Sequence, residues 1–302
     1  MWKWIVALSI ALSAVATYVV AVDVIPSIAA GALLHPARKP VRGQPPVACV
    51  EATFAGVGVT LNGWRCAAVG PRRATLMFLH GIGDNRESVS GAVGRFVQRG
   101  YDVVAYDSRA QGTSTGDVCT YGYWEKRDLR RVLEAMPSEP IVLLGTSLGA
   151  AVALQEAADD SRVVGIVAAE VFSDLNTVAR ERAPRLLTDG MIRHAFAIAE
   201  AQGHFRVDDV SPLAAARQIR IPVLVIHGAA DADTTPDHSL RVLEALGGPK
   251  EFLLVADAHH NESLRSPAVW QQIDRWIDKL LTPTGARLQN VSTTLVLSRG
   301  LG

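Results

Sequence analysis

Short apolar segments recur through the middle of the chain, and turn residues separate them. Each is rich in Val, Ile and Leu, a composition typical of strands that are buried on both faces of a parallel sheet. The segments lie at residues 75–80, 101–106, 141–145, 163–169, 223–227 and 251–255. Before them, residues 51–69 hold short alternating runs around Asn62-Gly63, a pair that predicts a β-hairpin.

Between these predicted strands, apolar residues repeat with helical spacing. The repeats lie at residues 89–97, 129–136 and 270–280. Ser266 and Pro267 mark the start of the last helix, as its N-cap and first helical residue. Alternating strands and helices predict an α/β fold, with a mostly parallel central sheet and helices on both faces. The interval from 169 to 223 is too long for a simple connection, so it predicts a small helical cap at about 171–212.

The N-terminus has a different pattern, because residues 4–22 form one uninterrupted uncharged and mostly aliphatic run. As a helix, this run has nearly the length of the bilayer core, which is about 30 Å thick. Trp2, Trp4 and Tyr18 lie near its ends, where aromatic side chains favour the membrane interface. We therefore expect an uncleaved helix that binds the protein to a membrane.

Two other interpretations of this segment stay open. A cleaved signal peptide would use Lys3 as its basic region and Ala14-Val15-Ala16 as its cleavage site. A buried helix of a globular domain is the other. The orientation of an anchor is also open, because basic residues lie on both sides of the run.

The chain divides into three parts on this pattern. Residues 1–46 are the anchor or signal segment and a linker, whose last part, 36–46, contains four prolines. Residues 47–282 are the globular domain with its cap, and 283–302 are a C-terminal tail.

Composition excludes several classes of protein. The chain has 302 residues, with 30 basic and 30 acidic side chains, and this zero net charge argues against a nucleic-acid partner. A chain of this length buries a full core without disulfides or metals. Cys49, Cys66 and Cys119 have no zinc-site spacing, but we expect one disulfide if the domain faces an oxidising space, with the pair left open. The sequence does not indicate an oligomeric state.

A candidate nucleophile lies where the strand at 141–145 ends. Gly145-Thr146-Ser147-Leu148-Gly149 follows that strand and is followed by an alanine-rich helical segment. This is the setting of a nucleophile elbow, in which a sharp turn presents a serine hydroxyl at a helix N-terminus. The positive end of the helix favours an anion that develops there. Ser147 is therefore the predicted nucleophile.

A serine nucleophile needs a base, and the base needs an acid to orient it. Each position has two candidates, and both pairs lie just past the ends of predicted strands. Asp231 and Asp233 follow the strand at 223–227, and His259 and His260 follow the strand at 251–255. The oxyanion hole requires two N–H donors. We expect these from Leu148, next to the serine, and from Ile82, in the glycine-containing loop after the strand at 75–80.

Together these features resemble the α/β-hydrolase fold superfamily, over roughly residues 47–281. The motifs are His80-Gly81, the loop at 106–114, the elbow, His227-Gly228-Ala229-Ala230-Asp231, and His260. The resemblance implies that Asp231 is the acid and His260 the base, while Asp233 precedes a helix and His259 shapes the loop. The sequence departs from the family pattern at Ala110 and Gln111, where Gly and His are usual, and lacks the glycines that normally precede the histidine.

The resemblance also implies a function: a serine hydrolase that cleaves an ester of a small-molecule acyl substrate through an acyl-enzyme, without a cofactor or metal. Within the superfamily, the chain resembles membrane-anchored serine hydrolases and the esterase-like and peptidase-like members with a small cap. A peptidase or amidase, an acyltransferase, and a non-catalytic membrane-tethered binding protein are the alternatives. The expected location is the cell envelope on the extracytoplasmic side, or outside the cell after signal cleavage. Several apolar cap residues suit either an acyl pocket or packing of the cap onto the sheet: Phe172, Leu186, Leu187, Met191, Phe196 and Phe205.

Overall fold

A nine-stranded sheet forms the centre of the protein in the computed structural model, which describes residues 2–137, 140–157, 160–282 and 294–297. The strands are β1 (Cys49–Ala55), β2 (Thr60–Cys66), β3 (Ala74–Leu79), β4 (Tyr101–Tyr106), β5 (Ile141–Thr146), β6 (Val163–Ala169), β7 (Val223–Gly228), β8 (Lys250–Val255) and β9 (Thr294–Leu297). Their order across the sheet is β1-β2-β4-β3-β5-β6-β7-β8-β9. Among the described strands only β2 is antiparallel to both neighbours in that order, so the predicted mostly parallel sheet is confirmed.

Ten α-helices accompany the described strands. They are α1 (Trp2–Val19), α2 (Ile25–Leu34), α3 (Ser90–Val97), α4 (Glu125–Glu134), α5 (Leu148–Glu156), α6 (Leu175–Arg182), α7 (Asp189–Gly203), α8 (Pro212–Ala216), α9 (Pro236–Ala245) and α10 (Pro267–Leu280). Successive strand residues point to opposite faces of the sheet. Leu76 therefore packs in the apolar cluster that includes α3 and α10, whereas Met77 packs in the cluster that includes α4 and α5.

The hairpin of β1 and β2 is present, but its predicted turn was wrong. The turn lies between the strands and contains Gly58, whose φ of 69° suits glycine. Asn62 and Gly63 lie inside β2 instead. Gly63 is required there by a close approach, because a Cβ at this position would overlap the carbonyl oxygen of Ala105 on β4.

The disulfide joins Cys49 and Cys66, which lie directly opposite each other on β1 and β2. Cys119 is buried as a free thiol. The structure thus supplies the pairing that the sequence left open.

The N-terminal segment forms one apolar helical stretch, Trp2–Leu34, in which a π-helical turn, Val20–Val24, joins α1 to α2. By length and composition this stretch is able to cross a membrane. The described side chains of α1 are exposed, whereas Ala30 and Leu34 of α2 are fully buried in the same core cluster as the sheet.

The segment predicted to be a linker also contacts the domain. Arg38 donates a hydrogen bond to the carbonyl oxygen of Ser114 at 3.2 Å, and Lys39 forms an ion pair with Asp84 at 2.8 Å. The boundary expected near residue 47 therefore divides residues that pack together in the structure.

Between β6 and β7 lie α6, α7 and α8, in the interval that the sequence assigned to a helical cap. Helix α7 packs against α2, where Leu34 lies beside Gly203. It also contacts the π-helical turn, since the Val22 carbonyl lies 2.8 Å from His194 Nδ1. Within the predicted C-terminal tail, β9 pairs in parallel with β8, and the remainder of 283–302 lies outside the described residues.

Candidate active site

Ser147 occupies a strained turn between β5 and α5. Its backbone has φ 50° and ψ −113°, in the region that non-glycine residues rarely adopt, and its N–H donates to the Ala169 carbonyl at 2.8 Å. The two glycines of the motif permit this turn, because a Cβ on Gly149 would overlap the Leu79 carbonyl and a Cβ on Gly145 would overlap Gly149. The local structure is the elbow that the sequence predicted.

Three predicted side chains meet at this turn. The Ser147 hydroxyl lies 3.1 Å from His260 Nε2, and His260 Nδ1 lies 2.7 Å from Asp231 Oδ2. The carboxylate accepts from Nδ1–H, which leaves Nε2 as the acceptor for the serine hydroxyl proton. This arrangement places the proton acceptor at the serine, as base catalysis requires.

The other member of each pair lies outside this chain of contacts. Asp233 is exposed and contributes its backbone N–H to Asp231 Oδ1 at 3.0 Å. His259 is also exposed, and its backbone N–H donates to Glu262 at 3.1 Å.

Asp231 is buried, and four donors surround its carboxylate. Oδ1 accepts the N–H groups of Asp233 and Thr234, while Oδ2 lies 2.7 Å from His260 and 3.2 Å from His227 Nε2. Burial alone would raise the pKa of Asp231, but the hydrogen bonds from His227, His260 and Thr234 outweigh it and hold the pKa below its ordinary value. The carboxylate is therefore ionised at neutral pH, the form that orients and stabilises a protonated histidine.

Sequence reasoning missed Glu170, a fully buried carboxylate at the end of β6. Its side chain accepts the N–H of Asn261 at 2.6 Å, the N–H of Ser263 at 3.1 Å and the Ser263 hydroxyl at 2.7 Å. Its own backbone has a φ of 55°. Since Asn261 follows His260 directly, Glu170 fixes the loop that carries the histidine. A single charged residue closing an apolar strand was the only signal in the sequence.

The loop after β3 lies against the serine. A Cβ on Gly81 would lie 3.5 Å from the Cβ of Ser147, so Ile82 follows a backbone that passes beside the hydroxyl. Leu148 is the first residue of α5, and the first N–H groups of a helix have no intrahelical acceptor. Both residues thus lie on backbone next to the serine.

Two polar side chains hold this loop in place. The His80 ring accepts the Ser108 N–H on Nε2 at 2.9 Å, and its Nδ1 lies 2.7 Å from the Gly81 carbonyl. Burial lowers the pKa of His80, which keeps the ring neutral for this pair of bonds. Gln111, one of the two departures from the family pattern, accepts the Gly83 N–H at 2.6 Å.

A cavity of about 360 Å³ borders the same residues. Gly81, Ile82, Thr146 and Asn261 line it on the side of the serine and histidine. Its wall also carries four charged side chains: Lys39, Asp84, Arg86 and Arg265.

Residues 74–191 match the family model described as the alpha/beta hydrolase fold. The sheet order, the elbow and this match show that the chain has the α/β-hydrolase fold, so the predicted fold is confirmed. Among solved structures it is similar to the esterase Pf2001 of Pyrococcus furiosus, with a TM-score of 0.65 and 22% identity, over 82% of this chain and 98% of that one.

The chain is also similar to the acylaminoacyl peptidase of Pyrococcus horikoshii, with a TM-score of 0.60 and 18% identity. That match covers 77% of this chain but 41% of the peptidase. Among curated proteins, the uncharacterized protein YqkD of Bacillus subtilis (strain 168) is 30% identical over 196 residues, 62% of this chain and 64% of YqkD. The uncharacterized protein YfhR of Escherichia coli (strain K12) is 26% identical over 251 residues, 79% of this chain and 82% of YfhR.

Proposed function

We propose that the protein is a serine hydrolase that cleaves carboxylic esters, with Ser147 as nucleophile, His260 as base and Asp231 as the orienting acid. The observation that carries the proposal is the continuous contact from the Ser147 hydroxyl through both ring nitrogens of His260 to Asp231, at 3.1 and 2.7 Å. The esterase and peptidase among its structural neighbours support the same general chemistry.

The reaction follows from these positions in two halves. His260 Nε2 accepts the hydroxyl proton while Ser147 Oγ forms a bond to the ester carbonyl carbon, and the oxyanion is stabilised by the N–H groups of Ile82 and Leu148. The carbon–oxygen bond to the alcohol breaks as His260 returns its proton to that oxygen. Water then attacks the acyl-enzyme, His260 accepts a proton from it, and the carboxylic acid leaves as Ser147 regains its hydroxyl.

We further propose that the N-terminal helix anchors this domain to a membrane, on the extracytoplasmic side of the cell envelope. The exposed apolar surface of α1 supports a membrane partner. The Cys49–Cys66 disulfide supports an oxidising compartment. Mass spectrometry of protein taken from its own cells without reductant is expected to find these two cysteines linked, and three free thiols would contradict the assignment.

The test of the catalytic proposal is hydrolysis of p-nitrophenyl butyrate by the full chain, its Ser147→Ala variant and a matched Ser90→Ala variant. Ser90 is exposed at the start of α3 and does not belong to the residues that line the cavity beside Ser147. The Ser147→Ala variant is expected to lose about 10⁶-fold in kcat, as serine hydrolases do without their nucleophile. Ser90→Ala is expected to match the wild type. Hydrolysis that persists in folded Ser147→Ala would refute the assignment, and a p-nitroanilide substrate run in parallel measures any amidase activity.

A further inference from the structure

An apolar groove lies between α2, α6 and α7, apart from the cavity beside the serine. Its volume is about 570 Å³, within the range of ligand-binding pockets. The α2 helix provides one wall with Ile25, Ile28, Ala29, Ala32 and Leu33. Three of the apolar residues singled out in the sequence line the opposite wall: Leu186, Leu187 and Phe196.

Two large apolar side chains that line this groove are unusually exposed. Leu186 is 91% exposed and Ile28 is 67% exposed. A concave surface lined this way favours an apolar occupant over water. The two remaining aromatic residues of that set, Phe172 and Phe205, are buried in the core instead.

The lining of the groove combines two kinds of chemistry. Ile25 and Ile28 belong to α2, which the π-helical turn joins to the exposed apolar α1. Arg182 is the one charged side chain among the described residues that line the groove. An occupant that fits both has an apolar chain and a polar or anionic head.

The charged side chain of the groove contacts the loop that carries Asp231. Arg182 Nε donates to the Asp233 carbonyl at 2.8 Å, and its guanidinium also contacts the Thr234 hydroxyl. The Thr234 N–H in turn donates to Asp231 Oδ1 at 2.9 Å. Arg182 thus lines the groove and contacts the loop that holds Asp231.

We propose that this groove binds the acyl chain of an amphiphilic ester drawn from a lipid bilayer, with the chain along α2 and the ester group toward Arg182 and the triad. The inference rests on the proposed function, and adds to it the substrate class and a substrate-binding role for α2. The cavity beside the serine is less suited to the chain, because four charged side chains line it.

The first test measures chain-length preference with the full chain in phosphatidylcholine vesicles. Ala32 is exposed on the groove wall, so Ala32→Trp fills the groove, whereas Ser27→Trp places the same side chain at an exposed position of α2 outside the lining. The ratio of kcat/KM for p-nitrophenyl palmitate to that for the butyrate is expected to fall about tenfold or more in Ala32→Trp. The ratio is expected to stay at the wild-type value in Ser27→Trp. Because every variant is measured with the same vesicles, the partition of the two esters into the bilayer does not affect the comparison. An unchanged ratio in Ala32→Trp would overturn the proposal.

The second test measures binding without turnover, so it separates the groove from the catalytic assignment. Fluorescent cis-parinaric acid is titrated into the Ser147→Ala variant with and without Ala32→Trp. The proposal predicts saturable binding that the added tryptophan weakens about tenfold or more. Binding that is absent, or that the added tryptophan does not change, would overturn the groove assignment. Hydrolysis that persists in Ser147→Ala would overturn the proposed function and leave this binding result standing.

Discussion

At the scale of single residues, the strongest contrast lies within each pair of candidates for the acid and the base. Asp231 and His260 contact each other, while Asp233 and His259 are exposed and contribute backbone N–H groups. Losing the acid leaves the histidine without its partner on Nδ1, which costs about 10⁴-fold in kcat. We therefore expect Asp231→Asn and His260→Ala to lose nearly all ester hydrolysis while the protein stays folded.

The exposed pair supplies the matched controls. Asp233→Asn and His259→Ala keep their backbone N–H groups, so both are expected to retain most of the wild-type kcat. Initial rates on p-nitrophenyl butyrate, with circular dichroism to verify folding, test this expectation. If Asp233→Asn proved the more damaging of the two aspartate variants, the acid would be misassigned.

Glu170 acts through the loop that it holds rather than through contact with a reacting atom. Its carboxylate accepts three hydrogen bonds from Asn261 and Ser263, and an amide in its place offers an N–H₂ group to these donors. Displacing a catalytic group by about 1 Å costs about 10²-fold in rate. Glu170→Gln is therefore expected to lower kcat by about that factor with KM nearly unchanged.

A readout besides rate distinguishes this positioning role from simple destabilisation. Glu170→Asp retains the charge and is expected to recover part of the lost kcat, at a similar or lower melting temperature. If kcat fell in Glu170→Gln and Glu170→Asp in proportion to the fall in melting temperature, a positioning role would be contradicted.

A site residue was predictable from the sequence when its position is determined by the residues next to it in the chain. The elbow at Ser147 was predictable because it is local, with its strand, glycines and helix contiguous in the chain. Asp231 and His260 needed a family resemblance to separate them from their neighbours. Glu170 was not predictable, since it contacts residues more than ninety positions away and nothing beside it in the sequence marks that contact.

At the scale of elements, His238 on α9 connects the body of the domain to α6. Its Nε2 lies 2.6 Å from Glu181 on α6, and its Nδ1 accepts from the Ser173 N–H at 3.1 Å and lies 2.9 Å from Arg241. Burial lowers the pKa of His238 below 6.5; Arg241 acts in the same direction, while Glu181 and Asp174 oppose it. The folded protein therefore favours the neutral ring.

This depressed pKa makes stability depend on pH. A histidine that binds its proton less readily in the folded state contributes stability above a pH of about 6.5, and that contribution is lost as the pH falls toward the folded-state value. Urea unfolding at about pH 7.5 and about pH 5.5, on either side of the ordinary histidine pKa, measures the change. The wild type is expected to lose more free energy of unfolding than His238→Gln over this interval, by at most about 1.4 kcal/mol per pH unit. Equal losses would contradict this role.

Elements were predictable where burial alone determines them. The strands buried on both faces, such as β4 and β6, have the predicted bounds, because continuous apolar runs leave no other arrangement. The hairpin turn was mislocated because Gly63 is required by the neighbouring β4, which a local turn motif does not reveal.

At the scale of the whole molecule, the folded unit includes part of the N-terminal segment. Ala30 and Leu34 of α2 are fully buried, and the segment after them contacts the loops near β3 and β4. The sequence pattern placed α2 with α1 in residues 1–46, outside the globular domain, because both segments are apolar and precede the proline-containing linker. We propose that the domain begins near Ile25.

Two truncations test this boundary. A chain that begins at Ile25 retains the buried face of α2 and is expected to unfold with nearly wild-type cooperativity. A chain that begins at Val47 lacks Leu34, and the loss of this one buried side chain lowers the free energy of unfolding by about 2 kcal/mol. It also lacks the contacts of Arg38 and Lys39. Urea unfolding in the presence of detergent compares the two, and equal stability would place the boundary near Val47.

The measurement that tests the central claim most directly is the mapping of a fluorophosphonate adduct by mass spectrometry. A strained serine whose hydroxyl contacts a histidine ring nitrogen attacks phosphorus as it attacks an ester carbonyl. One adduct is expected, on the peptide that contains Ser147, with loss of labelling in His260→Ala while His259→Ala still labels. An adduct on another serine, or no adduct on a folded protein that hydrolyses esters, would contradict it.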